Sequence, residues 1–229
     1  MCSNEIRLYR RVRGHYITGM IKRALPAIAF ALLVNASASN AQRPGEPPRE
    51  RLGARVSFTG SIGDLNEHFG NGYDITLYFT ERIYRPLYLE IRIGATYMGD
   101  LTKPEIAERL TGYEGIASEM RFAYVTLGPQ YTGAINETQT LYGTLGLGIY
   151  SVSMLFDTGV RAFDLSDQNF GMSGGGGFLW RISTNWNLEL NATVHKLWTD
   201  RNDLYHIFTG GDFNPWLIGF GFGVAMDLR

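Results

Sequence analysis

Downstream of residue 41 the chain repeats with a period of two and nowhere sustains a period of 3.6 residues. Val56, Phe58 and Ile62 alternate with Arg55, Ser57, Thr59 and Ser61, and Tyr73, Ile75, Leu77 and Phe79 alternate with Asp74, Thr76, Tyr78 and Thr80. Leu87, Leu89, Ile91, Ile93, Ala95 and Tyr97 oppose Tyr88, Glu90, Arg92, Gly94 and Thr96. A fourth stretch sets Ala123, Val125, Leu127 and Tyr131 against Tyr124, Thr126, Gly128 and Gln130. A fifth sets Leu141, Leu145, Leu147 and Ile149 against Tyr142, Thr144, Gly146, Gly148 and Tyr150. Phe170, Met172, Phe178 and Trp180 share a face in the sixth, and Trp186, Leu188, Leu190, Ala192 and Val194 share one in the seventh. The eighth runs Trp216, Ile218, Phe220, Phe222, Val224, Met226, Leu228 against Gly219, Gly221, Gly223, Ala225 and Asp227. The pattern predicts eight strands. The connections 63–72, 99–119, 153–168 and 199–213 are long, whereas 81–86, 133–138 and 183–185 are short.

A soluble sandwich or lipocalin-type barrel would keep its outer face polar. Here the apolar face is nearly continuous, the opposite face is crowded with glycine, and only Lys103 and Lys196 are lysines downstream of residue 41. A closed barrel in lipid accounts for both features, because closure satisfies every backbone group without water. The predicted fold is all-β: an eight-stranded antiparallel transmembrane β-barrel with an N-terminal signal peptide. Long external loops and short periplasmic turns would put both termini in the periplasm and the protein in the cell outer membrane.

Composition narrows the field in the same direction. With 28 glycines, 13 phenylalanines and 13 tyrosines the chain is neither a helical bundle nor disordered. A mean hydropathy of -0.11 excludes a polytopic helical membrane protein. Cys2 is the single cysteine, so no disulfide framework or cysteine-based metal site is expected. Lys22 and Arg23, the apolar run Ala24–Val34 and the small residues Ser39-Asn40-Ala41 read as a signal peptide cleaved after Ala41, with Ala36-Ser37-Ala38 as the second choice. The apolar run is too short to span a membrane. Residues 1–41 are thus assigned to an N-terminal extension and signal peptide, 42–52 to a proline-rich periplasmic tail, and 53–229 to the barrel. Cleavage removes six basic residues and one acid, leaving a net charge of -6 and no basic footprint for nucleic acid.

Parity assigns side chains to the two faces. Trp180 and Trp186 flank the short turn 183–185, and Trp198 and Trp216 flank the last long loop, as aromatic girdles at the two interfaces would. Trp186 and Trp198 share a face, and their spacing along a tilted strand corresponds to about 30 Å of height. The lumen receives Arg55, Arg92 and Arg181 against Asp74, Glu90, Glu189 and Asp227, with Tyr78, Tyr88, Tyr124, Tyr142 and Tyr150 adding bulk. Eight strands enclose only enough room for side chains or one small ligand, so the lumen is expected to be plugged by its own side chains, with no open water-filled pore. Arg55 and Asp227, near the periplasmic ends of the first and last strands, are predicted to pair across the closing seam. Arg121 and Lys196 break the apolar parity near external strand ends. Either the register breaks there, or they contact lipopolysaccharide phosphates at the outer leaflet.

No catalytic, cofactor or metal constellation emerges. Gly174–Gly177 lacks the lysine and helix of a phosphate loop and reads as room for bulky neighbours. Asp200-Arg201-Asn202-Asp203 lacks the spacing and glycine of an EF-hand. The long loops carry 13 acids against four basic residues, read as solvated charge, with weak, diffuse divalent-cation binding at the lipopolysaccharide surface as the alternative. His68 and His206 fall in predicted loops with no serine at a recognisable spacing, and His195 has lumen parity.

Several segments resemble the small outer-membrane barrel families typified by OmpW, OmpX and the OmpA membrane domain. They are Leu127-Gly128-Pro129-Gln130-Tyr131, Leu141–Tyr150, Phe170-Gly171 through Gly174–Gly177 to Trp180, and Asn185–Leu190. These families usually end in an aromatic residue, whereas this chain ends Met226-Asp227-Leu228-Arg229. The resemblance implies a non-enzymatic outer-membrane barrel with a structural or small-molecule permeability role, OmpW-like. The alternatives are an adhesion or ligand-binding barrel acting through its loops and a lipid-A-modifying enzyme. Deacylases of the last kind resemble PagL and pair His with Ser as H-x-S, whereas this chain reads His195-Lys196-Leu197. Expected partners are outer-membrane lipid, lipopolysaccharide and the barrel-insertion machinery, with the protein monomeric and no cofactor.

Overall fold

The computed structural model describes residues 48–62, 70–99, 117–157, 162–198 and 215–228. The predicted signal peptide, tail residues 42–47, His68, His206 and most of the acidic loop positions lie outside the described residues. Eight strands follow in order: β1 (Glu50–Ile62), β2 (Gly72–Tyr84), β3 (Leu87–Met98), β4 (Ala117–Ala134), β5 (Gln139–Asp157), β6 (Ala162–Arg181), β7 (Trp186–Trp198) and β8 (Trp216–Leu228). Each pairs antiparallel with its sequence neighbour, and β1 pairs with β8 from Glu50↔Leu228 to Ile62↔Trp216, so the sheet closes on itself. Closure leaves no free edge along the barrel wall, the condition for backbone to cross hydrocarbon as strands.

The period-two pattern dictates which way each strand faces. Along β1 the odd positions from Arg51 to Ser61 are buried in the lumen, while Leu52, Val56, Phe58 and Ile62 stand exposed on the outer wall. On β8, Phe220 and Phe222 are 66% and 67% exposed, opposite Ala192 and Leu190 of β7. A continuous wall of this kind would be a severe liability in water. In lipid it is the favourable state, each large apolar side chain being worth about 1.5–3 kcal/mol out of water.

At the end of the barrel where β1 begins and β8 ends, strands are joined tightly. β2 passes to β3 through Arg85-Pro86. At residues 135–138 Ile135 N–H donates to the Gln139 carbonyl (2.9 Å), and at 182–185 Ile182 N–H donates to the Trp186 carbonyl (2.9 Å). This is the turn end; the opposite one is the loop end.

Three predicted boundaries need correction. β1 begins at Glu50, so the barrel takes residues assigned to the periplasmic tail. Residues 153–168 are mostly strand rather than a long loop, because β5 runs to Asp157 and β6 starts at Ala162. β4 likewise starts at Ala117, inside the predicted 99–119 connection. The physical reason is shared. The apolar lipid-facing row stops at Ile149 and Phe170, but backbone pairing does not need that row and continues beyond it. β4, β5 and β6 therefore have 18, 19 and 20 residues, against 12 or 13 for each of the others.

Candidate functional site: a filled lumen and a projecting sheet

The lumen is built in tiers. At the turn end Arg51 Nε donates to Asp227 Oδ1 (2.7 Å), and the Tyr88 hydroxyl donates to the Pro48 carbonyl (3.0 Å) across the mouth. The predicted Arg55–Asp227 pair is thus corrected. The seam register sets Arg51 opposite Asp227 and Arg55 opposite Gly223, four residues further along β1. That is about 13 Å of strand, too far for contact. The prediction failed because the first strand starts earlier than its apolar row suggests.

Arg55 belongs to the next tier. Its Nε donates to Glu189 Oε1 (2.7 Å), its Nη2 to Glu90 Oε2 (3.4 Å), and its guanidinium lies 3.7 Å from the centre of the Tyr78 ring. Tyr78 donates to Glu189 Oε2 (2.7 Å), and Tyr142 also donates to Glu189. Glu90 pairs with Arg92 and accepts from Gln130 Nε2 (3.0 Å) and Thr144 Oγ1 (3.1 Å). Carboxylates and guanidinium groups so buried are tolerable only with this density of partners. The lumen-facing glycines of β8 make the tier possible. Arg55 and Glu189 both register with Gly223, so a β1 side chain meets a β7 side chain over β8. A Cβ on Gly223 would lie 3.1 Å from Arg55 Cγ. Gly221 plays the same part between Ser57 and Asn191, whose side chains hydrogen-bond at 3.1 Å. The glycine block of β6 makes room in a similar way, since a Cβ on Gly177 would collide with the Tyr142 hydroxyl.

Nearer the loop end, Asp74 accepts from Thr76 (2.5 Å), Thr96 (2.7 Å) and Tyr124 (3.0 Å). Tyr150 hydrogen-bonds His195 Nδ1 at 2.9 Å, and the rings of Tyr124, Tyr150 and His195 pack together. Last comes an apolar layer unforeseen from sequence: Met98, Met120, Phe122, Val152, Leu197 and Leu217, each at most 1% exposed. Its signal was present, since positions 98, 120 and 122 carry apolar residues at lumen parity. Arg181, predicted in the lumen, is instead exposed where β6 ends, opposite Asn187 at the rim. Arg51 replaces it as the third lumen cation.

On the outer wall, Trp180 and Trp186 are exposed at the turn end and Trp198 and Trp216 at the loop end, with Trp198 stacked on Phe170. Arg121 and Lys196 also face outward. Lys196 Nζ lies 4.8 Å from the Trp216 ring centre. Arg121 pairs with Glu119 and approaches Tyr97, which stacks on Tyr73. Strand pairing passes through both residues without a shift, so the register does not break. Above Ala123, Ile149 and Phe170 the outward positions turn polar: Arg121 and Glu119, Ser151 and Ser153, Gln168 and Ser166. The apolar-out pattern ends there, yet the three strands continue. β3 last pairs with β4 at Met98↔Met120, and β7 last pairs with β6 at Phe170↔Trp198. Beyond those levels β4, β5 and β6 stand as a three-stranded sheet whose outer flank, Ala162–Asn169 of β6, has no strand partner on its β7 side among the described residues. Asp167 caps one backbone donor of that flank, the Gln168 N–H, at 2.7 Å. Among the described residues no group of three or more His, Cys, Asp or Glu side chains could hold a metal ion.

No family model matches the chain, and no curated protein matches it in sequence. Solved structures do match in fold, and the class they define is the small eight-stranded outer-membrane β-barrel. Neisserial surface protein A aligns with a TM-score of 0.52 at 12% identity over 78% of this chain and 96% of that one. A major outer membrane protein from Thermus thermophilus aligns at 0.51 and 11% identity, over 77% and 98%. Ail, the attachment invasion locus protein of Yersinia pestis, aligns at 0.47 and 14% identity, over 79% and 99%.

Proposed function

We propose that this protein is a non-enzymatic, monomeric barrel of the cell outer membrane that acts through its projecting β4–β5–β6 sheet as a ligand-binding or adhesion surface. The observation that carries the reading is the continuation of three paired strands past the level where the apolar outer wall, β3 and β7 all stop. A purely structural barrel has no need of that sheet. The OmpW-like permeability reading is less favoured, because charged tiers and an apolar layer fill the lumen. In the proposed orientation the turn end faces the periplasm. Arg121 and Lys196 then meet the phosphates of lipopolysaccharide at the outer leaflet, where a long cationic side chain reaches the headgroups at little cost.

Two measurements test this. Ser166→Cys should react with a membrane-impermeant maleimide on intact cells, whereas Ser183→Cys should not. Replacing residues 155–164 with an Asn-Gly turn should abolish adherence of expressing cells to cultured epithelial monolayers while leaving a folded, heat-modifiable barrel. Equal adherence of cells with and without the wild-type protein would defeat the adhesion reading and leave the structural one.

A further inference from the structure

We propose that the lumen binds one small monovalent cation at Asp74, coordinated by oxygen atoms from β2, β3 and β4. The distribution of charge points there first. Asp227 contacts Arg51, Glu189 contacts Arg55, and Glu90 contacts both Arg92 and Arg55. Asp74 is 4% exposed, and its carboxylate touches no cationic side chain among the described residues. Among the described residues three arginines face four carboxylates in a lumen wrapped by lipid, and the unmatched charge sits at Asp74. A buried charge without compensation is strongly disfavoured.

The local oxygen geometry has the same deficit. Thr76, Thr96 and Tyr124 each lie within hydrogen-bond distance of the Asp74 carboxylate, and Thr76 Oγ1 also lies 2.7 Å from the Tyr124 hydroxyl. Three hydroxyl protons cannot serve all four of these close contacts. One contact is left with lone pair facing lone pair, and a cation there turns that repulsion into coordination. One carboxylate with neutral hydroxyls suits a single positive charge, since divalent sites recruit more carboxylates.

A polar approach leads to the site. Ser61, Thr59 and Ser57 follow one another along the lumen face of β1, and Ser57 registers with Asp74. Thr59 Oγ1 and Ser61 Oγ are buried without a hydrogen-bond partner among the described residues, as groups that contact water or an ion would be. Gly72 and Gly219, which both register with Thr59, place no side chain beside this file. The other titratable groups facing Asp74 are Tyr124, Tyr150, His195 and Arg92. His195 Nδ1 is engaged by Tyr150 rather than by the carboxylate.

The test uses the mature chain refolded in detergent, with rubidium as the probe. At equal ionic strength the thermal midpoint should rise saturably in RbCl over N-methylglucamine chloride, whose cation is too large to enter. Crystals grown in RbCl should show an anomalous peak at Asp74. Asp74→Asn should abolish both while remaining heat-modifiable. If that variant does not fold, Thr96→Val keeps the carboxylate and should shift the rubidium dependence to higher concentration. Equal midpoints in the two salts, a rubidium effect that persists in Asp74→Asn, or a carboxylic-acid infrared band lost in Asp74→Asn would each overturn the proposal. The last would assign the balancing charge to a proton.

Discussion

The two ends of the lumen are filled by different means. Toward the turn end, charged groups are packed so densely that each carboxylate finds a guanidinium: Asp227 on Arg51, Glu189 on Arg55, Glu90 on Arg92. Toward the loop end, Met98, Met120, Phe122, Val152, Leu197 and Leu217 fill the section with hydrocarbon beside the polar file of Ser57, Thr59 and Ser61 on β1. The outer wall changes in the opposite sense, from apolar flanks beside the charged tiers to Arg121, Ser153 and Ser166 near the apolar layer. The interior polarity of a small barrel is therefore not uniform. Inside and outside exchange character near the level where lipid gives way to water. A strand leaving the membrane can keep its period of two while swapping which face is greasy.

The contrast between the ends can be broken by mutation. The largest effect is expected from Glu189→Ala, which leaves Arg55 and two tyrosine hydroxyls without their main acceptor. The loss should be about 3–5 kcal/mol in equilibrium urea unfolding from lipid vesicles. Met120→Ala removes apolar packing and no charge partner; a loss of about 2–5 kcal/mol is expected, in the lower half because loop-end neighbours can collapse inward. In planar bilayers this variant should raise baseline ion leakage more than Glu189→Ala does. The reverse order would show that the charged tier is the real seal.

At the mouth, Arg51→Ala, Asp227→Ala and the double mutant should give a coupling energy of about 0.5–3 kcal/mol. Arg55→Ala with Asp227→Ala should be additive, because the two residues do not touch; coupling there would contradict the seam register. The smallest effect is expected from Arg121→Ala. Its pairing with Glu119 is exposed, so less than about 1 kcal/mol should be lost, and that loss should vanish in high salt. A large salt-resistant loss would place Arg121 in a drier setting than the outer rim.

Much of the barrel was legible because its signal is local. The alternation of Tyr73, Ile75 and Leu77 with Asp74, Thr76 and Tyr78 states both the strand and its two faces, and the short turns follow from the spacing of such runs. The four tryptophans and most lumen charges could be placed by counting in twos. The upper halves of β4, β5 and β6 were harder to read. There the apolar row ends while pairing continues, and Phe122 and Val152 sit on the face that had been polar lower down. A reading that followed the lipid-facing row stopped with it and took the rest for loop.

The chain by itself determined the number of strands and the faces of most of their residues, because each depends on residues two apart. Tertiary structure decided the partners. Asp227 meets Arg51 because the seam register, set by closure of the whole sheet, places them side by side. Glu189 meets Arg55 because Gly223 leaves room between their strands, though the two are 134 residues apart in sequence. Counting in twos shows which side of the wall a residue occupies. Its height and neighbours follow only once eight strands have tilted and closed, since a shift of two residues keeps every face and changes every pair.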